Sequence, residues 1–71
     1  MDDPYYWELI VFKLAEEGFK VSWRRVRDGR DRRLWSAEAI RNGRQWTAAA
    51  ENVNTAFIEL ERETREAVEV S

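Results

Sequence analysis

The apolar positions of this 71-residue chain change period twice, and each change marks an element boundary. Trp7, Ile10, Val11 and Leu14 recur at i, i+3, i+4 and i+7, the stripe of a helix that packs against something. Asp3-Pro4 suits the start of that helix, because Asp accepts from the free N–H groups and Pro at the first position has none to lose. Gly18 supplies its stop. From Phe19 the period becomes two: Phe19, Val21 and Trp23 alternate with Lys20, Ser22 and Arg24, as in a strand with one buried face.

Two turn signals follow. Asp28-Gly29-Arg30-Asp31 ends the first strand, and Asn42-Gly43 suits a two-residue type I′ hairpin, since both residues tolerate positive φ. With that turn the register follows: Ala39 faces Trp46, Ala37 faces Ala48 and Trp35 faces Ala50, large against small across two strands. The opposite face then carries Lys20, Ser22, Arg24, Ser36, Glu38, Gln45 and Thr47 and reads as solvated. Beyond Glu51 the helical period returns, with Asn52 or Asn54 as cap and Val53, Ala56, Phe57, Leu60, Thr64 and Ala67 as the apolar stripe.

The fold class expected is therefore α+β, in the order α-β-β-β-α, with a three-stranded antiparallel meander and both helices on the Trp-bearing face. It forms one domain over residues 1–71. A second reading competes over residues 46–51. Trp46, Ala50, Val53, Phe57, Leu60, Thr64 and Ala67 are also spaced as a heptad seam, which predicts α-β-β-α with one long C-terminal helix capped by Thr47. The poor helix formers Asn52, Asn54 and Thr55 in mid-segment weigh against it.

Composition narrows the chemistry. A chain of this size buries only about 60% of its unfolded surface, so the four Trp, three Phe and two Tyr carry much of the core. The absence of Cys and His removes disulfides, thiolate nucleophiles, zinc sites and the usual general base, and the carboxylate pairs lack the spacing of a calcium loop. The chain is expected to be a non-enzyme with no catalytic residues, no cofactor and no metal. Its longest apolar run, Leu9 to Phe12, is too short to span a bilayer, and acids stand where a signal peptide is basic. A cytoplasmic protein without membrane contact is the expectation.

The net charge of -2 conceals a basic middle. Residues 1–19 hold Lys13 against five acidic residues, residues 20–44 hold nine basic residues against three acidic ones, and the remainder holds two against six. Arg24, Arg25, Arg27, Arg30, Arg32 and Arg33 crowd the first hairpin. The guanidinium fork matches phosphate and carboxylate groups, so this hairpin is one candidate site, for an anion or a nucleic acid. In the meander both helix N-termini lie at the same end, adding partial positive charge. The same arginines can equally pair with Asp28, Asp31 and the helix glutamates.

Helix, three strands, helix is similar in order to the double-stranded RNA-binding domain. In that family the first helix, the first hairpin loop and the start of the second helix meet the duplex. The resemblance covers most of the chain as topology and implies a nucleic-acid partner. Where the family has a lysine cluster at the second helix, Glu51-Asn52-Val53-Asn54-Thr55 carries no positive charge.

The other candidate surface is the far side of the first helix. Tyr5, Leu9 and Phe12 recur at i, i+4 and i+7, with Leu9 about 160° from Trp7 on the helical wheel. Apolar residues there have no task inside the monomer unless another segment folds over them, and they suit a protein partner or a homodimer. Ile58, on the polar side of the second helix, is of the same kind. The four Trp fall on core faces and are assigned to packing rather than to base stacking.

Overall fold

The computed structural model describes residues 6–70, with side chains described through residue 66. Asp3-Pro4 and Tyr5 lie outside the described residues, as does the side chain of Ala67.

The first helix, α1 (Tyr6–Glu16), ends as its sequence requires. Gly18 takes φ 93°, the Phe19 N–H donates to the Leu14 carbonyl at 3.0 Å, and the Gly18 N–H donates to the Ala15 carbonyl at 3.1 Å. This is a Schellman ending, with the backbone reversed by a residue that has no Cβ to strain. It drops Phe19 into the core beside the inward stripe of α1, where Ile10 and Leu14 are buried and Trp7 and Val11 partly so.

The chain then forms β1 (Lys20–Arg27), β2 (Arg33–Arg41) and β3 (Arg44–Ala50), an antiparallel sheet in the order β1-β2-β3. Asn42 and Gly43 have φ of 53° and 78°, the positive pair that a two-residue hairpin needs. Trp35 pairs with Ala50, Ala37 with Ala48 and Ala39 with Trp46, as the turn dictated. On the other side Val21 pairs with Ala39 and Trp23 with Ala37. Small residues on the central strand leave a floor onto which the helices settle: Ala37 and Ala39 have no exposed surface, and neither has Phe57.

The heptad reading fails at Asn52. Its side-chain oxygen accepts the N–H groups of Asn54 at 2.8 Å and Thr55 at 3.4 Å, an N-cap that starts α2 (Val53–Val70) and separates it from β3. Trp46 and Ala50 belong to a strand because both find cross-strand partners there, a gain that no local helical period supplies.

α2 packs over β2 and β3, and α1 lies beside it toward β1. Two contacts set the helices parallel: Asn54 Oδ1 accepts the Trp7 N–H at 3.0 Å, and Lys13 Nζ meets Glu61 Oε2 at 3.1 Å. Both helices therefore begin at the end of the sheet where the first hairpin turns. The far sheet face stays open, with Ser22, Arg24, Gln45 and Thr47 exposed.

Candidate functional site

The first hairpin is organised by Asp28. Its carboxylate accepts the N–H groups of Arg30 at 2.8 Å and Arg32 at 2.9 Å, while the Arg32 guanidinium reaches its other oxygen at 3.1 Å. The backbone hydrogen bonds from Arg32 and then Arg30 hold the Asp28 carboxyl below the usual carboxylate range, with the Arg32 side chain adding to them. Asp31 closes the turn by donating its N–H to the Asp28 carbonyl at 3.0 Å, at φ 61°.

The six hairpin arginines do not form one patch. Arg24 stands opposite Ser36 on the open face. Arg25, Arg27 and Arg33 share the helix-side face, and Arg30 sits in the turn. Arg27 pairs with Asp31 at 3.0 Å; Arg32 is shared between Asp28 and Glu51, the latter at 3.5 Å. Arg25 lies 5.1 Å from the centre of the Trp35 ring, its neighbour across the ladder. Further along the basic stretch, Arg41 donates to the Glu17 carbonyl at 3.0 Å and covers the Phe19 ring at 4.2 Å, so its charge caps the end of α1. Much of the basic middle is spent inside the fold.

A depression of about 270 Å³ is lined by Arg25, Val26, Arg27 and Arg33, in which Arg27 and Arg33 stand directly opposite each other. The helix N-termini that lie at this end are already partly served. Asn52 caps α2, and Asn54 takes the Trp7 N–H of α1.

The outer face of α1 is bare. Leu9 is 57% exposed and Phe12 67%, on the side away from Ile10 and Leu14. Tyr6 and Ile58 are also exposed, and Tyr6 has no part in the sequence-level pattern because it sits between the core stripe and the outer one. Tyr5, the third residue of that pattern, lies outside the described residues. Trp23 corrects the assignment of all four Trp to the core. It faces the helices and meets Trp7 of α1 edge-on at 5.1 Å and Phe57 of α2 at 5.8 Å, yet remains 42% exposed because β1 is an edge strand.

Among the described residues no group of acidic side chains is placed to hold a metal ion, and no helix is long and apolar enough to cross a membrane. The chain matches no protein-family model and no curated protein. The segment leading into α2 presents Glu51 and the capping Asn52, with no basic side chain.

Proposed function

We propose that this is a non-enzymatic protein-interaction domain that pairs with a second copy of itself through the outer face of α1. The observation that carries the reading is the exposure of Leu9 and Phe12, two large apolar side chains one turn apart on a helix whose opposite side is already buried. Leaving them in water costs about 1.5–3 kcal/mol each relative to burial. In a small domain with a marginal core, that cost calls for a compensating contact.

A second copy suits the surface. Laid antiparallel about a dyad between Leu9 and Phe12, each Leu9 meets the other copy's Phe12, and Glu8 comes to the level of the other copy's Lys13. The contact is a short helix pair, at the small end of stable interfaces, and its affinity is accordingly modest. Equilibrium sedimentation over a wide concentration range tests it. The wild-type chain should associate, and Leu9→Glu should abolish the α1 contact without loss of the fold, because the position is solvated in the monomer. Unchanged association in Leu9→Glu removes the reading, and an unfolded Leu9→Glu shows Leu9 to be core.

A second reading, anion binding at the first hairpin, rests on Arg27 and Arg33. Like charges directly opposite in a ladder destabilise a sheet, and a phosphate seated between Arg25, Arg27 and Arg33 relieves that repulsion.

A further inference from the structure

The two edges of the sheet are built differently. β1 carries Lys20, Arg24, Arg25 and Arg27 within its eight residues, and charge along an edge is a common means of refusing another strand. β3 carries one charge, Arg44 at its first residue, followed by Gln45, Trp46, Thr47 and three alanines. Its outer side is paired with no other described strand.

The hairpin turn decides which backbone groups of β3 are left over. A two-residue turn makes Arg41 and Arg44 a hydrogen-bonded pair, and such pairs recur at every second position of an antiparallel ladder. Trp46 with Ala39, Ala48 with Ala37 and Ala50 with Trp35 are therefore satisfied within the sheet. Gln45, Thr47 and Ala49, all exposed, direct their N–H and C=O groups outward.

We infer that this edge pairs with β3 of a second copy, antiparallel about a dyad through Thr47, so that two three-stranded sheets become one. In that register Thr47 faces its own equivalent, Gln45 faces Ala49, Trp46 faces Ala48 and Arg44 faces Ala50 of the other copy. Three features select it. Gln45, Thr47 and Ala49 each find a partner whose backbone groups also point outward, which makes about six ladder hydrogen bonds. No charge meets a like charge, whereas a β1 edge paired with itself sets four basic residues against four. Trp46, half-buried in one copy, lies against Ala48, repeating the large-against-small match it already has with Ala39. An unrelated strand supplies the hydrogen bonds but not this reciprocal fit.

The dyad runs along the sheet normal, so the helices of both copies stay on one side. The outer face of α1 looks away from the sheet, and the two contacts leave one another free. The edge contact goes beyond the α1 reading and stands or falls separately.

Thr47→Lys and Thr47→Glu test it on the full chain in the Leu9→Glu background, where the α1 contact is silent. Position 47 is exposed, so the circular dichroism spectrum should match that of Leu9→Glu alone. Leu9→Glu alone should dimerise, and its Thr47 amide should exchange more slowly as concentration rises. Either Thr47 substitution sets like charges face to face and should return the chain to monomer. Mixing the two variants sets Lys against Glu and should restore a one-to-one heterodimer, read by native mass spectrometry. A Leu9→Glu chain that is monomeric at every concentration leaves the edge to a foreign strand and overturns the inference. So does a dimer that neither Thr47 variant weakens, or a mixture that stays monomeric. A wild-type dimer lost in Leu9→Glu but kept in Thr47→Lys upholds the α1 contact and overturns this one; the reverse pattern upholds this one and overturns the other.

Discussion

Phe57 is the residue whose loss the fold should feel most. It has no exposed surface, stacks on Trp7 with centroids 5.6 Å apart, and receives Trp23 edge-on at 5.8 Å. Removing a buried Phe side chain costs about 3–5 kcal/mol, and two aromatic pairs at about 0.5–1.5 kcal/mol each place Phe57→Ala at the upper end of that range. At about 0.05–0.15 kcal/mol per residue, 71 residues give a total stability of about 4–11 kcal/mol, so Phe57→Ala should remove from about half to all of it. Phe57→Leu keeps most of the volume, should cost about 1–1.5 kcal/mol, and gives a measurable intermediate. Trp23→Ala removes a larger ring from the same cluster, but with 42% of the residue in solvent the cost scales down to about 2 kcal/mol.

Far-UV circular dichroism during thermal and urea unfolding is the assay, because Trp emission itself changes in Trp23→Ala. Each 1 kcal/mol corresponds to about 4–8 °C in Tm for a domain of this size. Phe57→Leu should fall by about 5–10 °C, Trp23→Ala by somewhat more, and Phe57→Ala by about 20 °C or more. Equal losses in Trp23→Ala and Phe57→Ala would refute the layering in which α2 covers the sheet centre and α1 only borders β1. A cost below about 2 kcal/mol for Phe57→Ala would refute the central place of its ring.

Two further outcomes concern the first hairpin. The Asp28 carboxyl is held below its ordinary range in the folded chain, so the stability it lends is complete above the unfolded carboxylate pKa and is lost as pH falls through the lower folded value. Carboxyl chemical shifts should show Asp28 titrating below the ordinary aspartate range, and Asp28→Asn should remove the hairpin's share of the acid sensitivity; an ordinary midpoint for Asp28 would contradict the hydrogen bonding described. If the hairpin binds a polyanion, affinity should fall log-linearly with salt. Arg25→Gln with Arg33→Gln should then flatten the slope by up to about two units for duplex DNA, whereas no binding to duplex RNA, duplex DNA or single strands at low salt ends that reading.

The elements themselves were legible because their causes are local. Gly18 ends α1 wherever the helix packs, and the φ preferences of Asn42 and Gly43 specify the β2–β3 register before any core forms. That Leu9 and Phe12 lie on the side of α1 away from Trp7 followed from the 3.6-residue period; that they stay exposed was decided by the packing of the other elements. Residues 46–51 were different. They fit the spacing of both a heptad and a strand, and the choice was made by their partners across the ladder, Ala39 and Trp35.

The candidate sites depended more on tertiary structure. Six arginines in ten residues read as a single patch, but strand alternation sends Arg24 to one face and Arg25, Arg27 and Arg33 to the other, while Asp28, Asp31 and Glu51 take two of the guanidinium groups. Asn54 ties α1 to the start of α2 across 47 residues, a contact no local pattern announces. Trp23 is half-exposed because its strand lies at one edge of the sheet, and the same strand order leaves β3 as the other edge. Periodicity states which side of an element is apolar; what finally covers that side is a sum of contacts between residues far apart in the chain, and only the packed structure contains that sum.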